Sequence, residues 1–143
     1  MSDGAPPAAL RDSPSRLATF QLAVGWVTVA TFLATGLFMR LGYPGVAPPD
    51  LAHRVFFRTH HLYLLAAALV NLLSGIHLRG VVAPTPRPRL ALAASTLMLV
   101  APPLLLLGFA TEHATATLRG GATSFGWYTL AAGAMLHILA WRR

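Results

Sequence analysis

The residues best suited to chemistry in this chain are its six histidines, because it contains no cysteine and only four acidic residues. Imidazole binds transition metals and haem iron, and it exchanges protons near neutral pH. The absence of cysteine excludes disulfides, thiolate metal sites and a cysteine nucleophile. The histidines are His53, His60, His61, His77, His113 and His137.

His77 and His137 form the first candidate site. They fall near the ends of two different apolar segments, at similar predicted depth, and His137 shares a helical face with Gly126 and Gly133. Two imidazoles from different helices are what haem b with two histidine ligands requires, and glycines permit close helix contact or leave room for a flat ligand. The pair therefore indicates either a haem b or quinone-linked redox site or two interfacial histidines that extend toward lipid headgroups.

A copper or zinc site near the outer surface is the second candidate, built from His53, His60, His113 and Glu112. Imidazole and carboxylate together suit either metal. His53 and His60 are two helical turns, about 10 Å, apart and cannot bind one ion by themselves. The site therefore requires His113 or Glu112 to fold over the end of the helix.

The helix that must position most of these histidines includes residues 59–78, which carry no formal charge and lie between Arg58 and Arg79. Its length of about 30 Å matches the hydrocarbon core of a bilayer. Asp50 is a favourable N-cap, so we expect the helix to begin near Leu51, outside the hydrocarbon.

One face of this helix carries polar and small side chains, among them His60, Asn71 and Ser74. Unpaired polar groups are costly in hydrocarbon, so this polar face is predicted to contact other helices. His60 should then be more buried than His61, which is expected to face lipid headgroups or an edge of the bundle.

The Asn71 amide lies in the middle of the span and needs a hydrogen-bond partner there. We expect that partner to be Thr28 of the first apolar segment, with Ser95 or Thr96 of the third as alternatives. The Asn71 side chain can also satisfy part of this need on a carbonyl one turn earlier in its own helix, and Thr28 can instead donate to a carbonyl of its own helix.

Four apolar segments near residues 17–39, 59–79, 90–110 and 122–141 predict an all-α integral membrane four-helix bundle, preceded by a disordered cytoplasmic tail over residues 1–16. All eleven basic residues are arginine, and seven of them fall on the side of the bundle that holds both termini. The positive-inside rule then places both termini in the cytoplasm.

The third segment contains Pro102 and Pro103, which lack a backbone N–H. They remove two helical hydrogen bonds and free the carbonyls of Met98 and Leu99, so the third helix is predicted to be kinked there. Freed carbonyls inside a membrane can also coordinate ions, which is the alternative to a simple kink.

Hydrophobic residues make up 55% of the 143 residues and charged residues 10%, far from the balance of soluble proteins. The net charge of +7 does not indicate nucleic-acid binding, because the arginines fall at segment ends rather than on one face. The sequence has no phosphate-binding glycine loop, no HExxH motif and no acidic residue within a predicted span. This pattern argues against an enzyme and against a proton-driven transporter.

Residues 58–63, Arg-Thr-His-His-Leu-Tyr, continue into Asn-Leu-Leu-Ser-Gly at residues 71–75. Further along the chain, Ala-Pro-Pro at 101–103 precedes a leucine run, and His137 lies near the end of the last span. Together these features resemble those of small bacterial four-span inner-membrane proteins of unknown function. The resemblance covers residues 58–137 and implies no activity, cofactor or partner.

We therefore expect a multi-pass protein of the bacterial inner membrane that contacts the lipid bilayer and other membrane-protein subunits. A structural or accessory role in a larger complex is the main prediction. The alternatives are a small haem b or quinone-linked redox protein using His77 and His137, and a copper- or zinc-handling protein at the outer surface.

Overall fold

The computed structural model describes residues 13–42, 51–80, 86–112 and 121–142. They form four α-helices: α1 Ser13–Gly42, α2 Leu51–Gly80, α3 Pro88–Thr111 and α4 Ala122–Trp141. The all-α prediction is confirmed over these residues, and α2 begins at Leu51 as expected. Helix α1 begins inside the region predicted as a tail, and residues 1–12 lie outside the described part of the chain.

Three of the helices are long and apolar enough to cross a membrane. The spans are Arg16–Leu41 in α1, Val55–Gly80 in α2 and Pro88–Thr111 in α3. Helix α4 is 20 residues long but is not among them, because its threonine, serine, glycine, histidine and tryptophan residues lower its hydropathy. The fourth crossing and the cytoplasmic location of both termini therefore stay predictions.

Helix α1 packs against α2 in antiparallel orientation, and two glycines set the close approach of the pair. A Cβ on Gly25 would lie 2.7 Å from Leu72 Cγ, and a Cβ on Gly75 would lie 2.7 Å from Leu22 Cγ. A side chain at either glycine would therefore push the two helices apart.

Helices α3 and α4 form a second antiparallel pair along the glycine-bearing face of α4. A Cβ on Gly126 would lie 2.9 Å from Leu105 Cγ, and a Cβ on Gly133 would lie 3.0 Å from the Ala94 carbonyl oxygen. Both glycines are buried, while His137, farther along the same face, is half-buried. The glycines thus serve close helix contact, as one of the two interpretations of this face predicts.

The two helix pairs are joined at the level of the two prolines within α3. Asn71 on α2 is fully buried, and its Nδ2 donates to the Met98 carbonyl at 3.0 Å and to the Ala67 carbonyl at 2.9 Å. Pro102, four residues after Met98, has no N–H for that carbonyl. The Asn71 amide therefore replaces the helical hydrogen bond that Pro102 removes.

The expectation that Thr28 pairs with Asn71 was wrong. Thr28 is buried, but its hydroxyl donates to the Val24 carbonyl of its own helix at 2.7 Å. Both hydrogens of the Asn71 amide are used by Ala67 and Met98. A freed carbonyl in an apolar interior is the stronger acceptor, because it has no other donor within its helix.

The outward faces of all four helices carry large apolar side chains. Trp26 on α1 is 64% exposed, Leu73 on α2 is 65% exposed and Met135 on α4 is 65% exposed. A surface of this kind promotes association in water but contacts acyl chains favourably in a bilayer. The polar side chains of the span interior point the other way, as a membrane protein requires.

Candidate functional site

The described histidines lie at both ends of the helical bundle, so there are two candidate sites. We call them the His60 end and the His77 end. At the His60 end, His60 on α2 is only 4% exposed. Its Nε2 lies 3.3 Å from Oε2 of Glu112, the residue that follows α3, and its Nδ1 lies 2.8 Å from the Phe56 carbonyl. Glu112 Oε1 in turn accepts the backbone N–H of Thr123 in the first turn of α4 at 3.0 Å.

The donors and acceptors of this network fix where its protons lie. A carbonyl oxygen only accepts, so Nδ1 of His60 must carry the hydrogen in its bond with Phe56. Nε2 then faces the Glu112 carboxyl at 3.3 Å, and a hydrogen bond there needs a proton between the two atoms. This contact links α2 to the junction of α3 and α4.

Electrostatics favour the ionised form of Glu112. Burial raises the pKa of this carboxyl, but the hydrogen bonds from Thr123 and the neighbouring His60 outweigh burial and hold the pKa below its ordinary value. Glu112 therefore stays a carboxylate at neutral pH, with His60 Nε2 3.3 Å from its Oε2.

The proposed outer metal site is only partly described. The structure brings His60 and Glu112 together, whereas the side chain of His53 and all of His113 lie outside the described residues. Among the residues that are described, no three histidine, cysteine or acidic side chains cluster closely enough to bind one metal ion. The copper or zinc hypothesis therefore stays a prediction.

His61 behaves differently from its neighbour, as the predicted phase of α2 requires. It is half-buried and thus less buried than His60, which confirms the predicted order. The expectation that His61 faces headgroups or an edge was wrong, because it packs against α1. Its ring stacks on Phe32 with centroids 3.9 Å apart, and its Nδ1 lies 3.0 Å from Thr35 Oγ1.

At the other end of the bundle, the structure brings His77 and His137 into contact, as their predicted depth suggested. Their ring centroids are 5.3 Å apart in an edge-to-face arrangement. Trp141 joins them, with its centroid 5.1 Å from His77 and 6.4 Å from His137. Both ring nitrogens of His137 and the Trp141 Nε1 are buried and have no hydrogen-bond partner within the described part of the chain.

A haem between His77 and His137 does not fit this arrangement. Axial ligation points one nitrogen from each ring at a single iron, with the flat macrocycle between the rings. Here the rings contact each other directly, edge to face. Haem binding would require α2 and α4 to separate at this end.

Sequence reasoning missed two polar contacts in the interior. Ser74 Oγ donates to Met98 Sδ at 3.3 Å, and Gln21 Nε2 donates to the Ser95 carbonyl at 3.4 Å, linking α1 to α3. The Met98 carbonyl could have been selected from sequence, because Pro102 four residues later marks it as an acceptor without a helical donor. Nothing in the sequence marks the Ser95 carbonyl.

No protein-family model, no curated protein and no solved structure matches this chain. The case for its function therefore rests on the helices and on the two ends of the bundle.

Proposed function

We propose that the chain is a multi-pass protein of the bacterial inner membrane, with four crossings and both termini in the cytoplasm. The three span-length helices and their exposed apolar surfaces support the membrane location. The close glycine packing of α4 on α3 supports a fourth crossing, since it places α4 alongside a span over much of its length. The arginine distribution supports the orientation.

Within that membrane, the chain acts as a structural or accessory component of a larger complex rather than as a catalyst. One observation carries this proposal: Asn71, a fully buried polar side chain in mid-span, holds two backbone carbonyls on two helices. Both hydrogens of its amide are used in holding helices α2 and α3. The polar interior thus serves helix association.

The test is extraction in a mild detergent followed by mass measurement of the tagged protein at its natural expression level. An accessory component should elute well above the mass of its 15.2 kDa chain plus detergent, with other membrane proteins in fixed ratio. A particle that contains only this chain would contradict the proposal.

A small redox protein is the second candidate function, since the unpaired nitrogens of His137 lie beside His77. A Soret band in the purified protein that disappears in His137→Phe would support it. Since the two rings are in contact, this candidate requires the ends of α2 and α4 to open when the group binds.

A further inference from the structure

We propose that the His77 end binds the phosphate of an anionic phospholipid, an inference that rests on the proposed membrane location. The site consists of His77 and His137 together with Trp141. These side chains come from α2 and α4, and they meet at the helix ends, where lipid headgroups lie in a spanning bundle.

The buried N–H groups at this end have no hydrogen-bond acceptor among the described residues. Trp141 Nε1 can only donate, and a neutral His137 carries one N–H on whichever nitrogen holds the proton. All three nitrogens are buried without a partner among the described residues, so a phosphate reaches them only when the end of α4 shifts away from α2. A buried donor without an acceptor is costly, and phosphate oxygens are strong acceptors that satisfy several donors at once.

The charge at this end also favours an anion over a metal cation. Exposed arginines stand near the ends of all four helices on this side: Arg16, Arg79, Arg87, Arg89 and Arg142. Arg87 donates to the Leu139 carbonyl at 3.1 Å, which fixes positive charge two residues from His137 along α4. The acidic side chain that the structure describes, Glu112, lies at the opposite end. Among the described residues, the charge at this end is positive, and it attracts phosphate and repels Cu²⁺ or Zn²⁺.

The surroundings of the site favour a lipid over free phosphate. Ile138 is 60% exposed and Leu139 is 39% exposed beside His137, and Ile76 is 60% exposed beside His77. These apolar side chains give acyl chains a surface that continues from the phosphate site. Free inorganic phosphate would use the polar atoms but leave this surface unused.

The test uses the full chain in detergent, with thermal unfolding followed by circular dichroism during titration with phosphatidylglycerol. The site variants are His137→Phe, which keeps a flat ring but removes both nitrogens, and Trp141→Phe, which removes the N–H donor. The matched controls are His61→Phe, also half-buried but at the opposite end, and Trp26→Phe on the lipid-facing side of α1. Phosphatidylcholine, inorganic phosphate and Cu²⁺ or Zn²⁺ are titrated in parallel.

The proposal predicts that phosphatidylglycerol raises the unfolding temperature of the parent and of both controls. In each site variant, the lipid concentration that gives half of the temperature shift should be about tenfold higher than in the parent. This is the effect expected from the loss of one hydrogen bond to a charged group. Inorganic phosphate, phosphatidylcholine and the metals should give smaller shifts that do not depend on His137 or Trp141. If His137→Phe fails to fold, Trp141→Phe decides the outcome.

An equal lipid response in site variants and controls would overturn the proposal, since only general charge attraction would then act. A response to inorganic phosphate that is lost in the site variants would overturn the assignment to lipid. A response to the metals that is lost in those variants would replace the anion site with a metal site. Reporter fusions that still show four crossings would leave the membrane proposal standing in each case.

Discussion

At the scale of single residues, one missing helical hydrogen bond in α3 is replaced by a side chain of α2. Pro102 removes the helical donor of the Met98 carbonyl, and Asn71 on a neighbouring helix supplies another. The same amide also holds the Ala67 carbonyl of its own helix, which fixes the side chain in place. The proline in α3 and the asparagine in α2 therefore act as a pair, although they are 31 positions apart in sequence.

A double-mutant cycle tests this pairing. Asn71→Leu should destabilise the parent by about 0.6 to 2 kcal/mol, the range measured for hydrogen bonds between membrane helices. In a Pro102→Ala background the loss should be smaller, because the introduced alanine can donate its own backbone N–H to the Met98 carbonyl. Thermal melts of the four proteins in one detergent measure the coupling, and equal losses in both backgrounds would contradict it.

Asn71→Asp should melt lower than Asn71→Leu, because it introduces a buried carboxyl group.

The network of His60 and Glu112 predicts a dependence of stability on acid pH. The pKa of Glu112 is lower in the folded protein than its ordinary value of 4.5. Ionised Glu112 therefore stabilises the fold when the pH is above 4.5. That stabilisation should be lost as the pH falls below 4.5 and through the lowered pKa. Glu112→Gln keeps an acceptor for Thr123 but cannot ionise, so its unfolding temperature should fall less steeply over this range.

His61→Gln is the control for this experiment, since His61 contacts α1 and not Glu112. It should keep the acid-dependent loss of the parent. A Glu112→Gln variant whose melting temperature falls as steeply as that of the parent would show that another group controls the acid limb.

At the scale of the helices, stability depends on small residues where the helices of each pair touch. Gly25 and Gly75 lie between α1 and α2, and Gly126 and Gly133 lie between α3 and α4. Without a hydrophobic driving force between helices in lipid, such close contacts supply much of the association energy.

Gly133→Ala should therefore destabilise the protein by about 1 to 3 kcal/mol, as overpacking does in other tight interiors. The new Cβ would lie 2.8 Å from Met98 Cγ and 3.0 Å from the Ala94 carbonyl oxygen, which is backbone and cannot move aside easily. Gly80→Ala is the matched control, since no atom of another packed helix in the described part of the chain lies within 4 Å of a Cβ there. Equal melting temperatures for the two variants would contradict the close contact of α3 and α4.

The sequence predicted the helical features that depend on local spacing. The N-cap signal predicted that α2 begins near Leu51. The helical period predicted that His60 and Asn71 face inward and that the glycines of α4 share one buried face. The hydrogen bond of Asn71 to a carbonyl one turn earlier was foreseen and is confirmed, but its partner on α3 was missed because only side chains were considered on the other helices. The contact of His61 with α1 was missed because period fixes the face of one helix but not which helix packs against it.

At the scale of the whole molecule, the central claim is that four helices cross the membrane with both termini in the cytoplasm. Helices α1 to α3 meet the length and composition of spans, and α4 is the helix on which the claim depends. Its antiparallel packing on α3 places its two ends at opposite ends of the bundle. Only the location of the segments on each side of α4 decides whether it crosses.

The most direct measurement uses a reporter enzyme that is active only in the periplasm, placed at two positions in separate fusions. Inserted in residues 113–120, before α4, the reporter should be active. Fused after Arg143, it should be silent, because α4 would have returned the chain to the cytoplasm. Activity at both positions, or at neither, would show that α4 does not cross, and activity only after Arg143 would reverse the orientation.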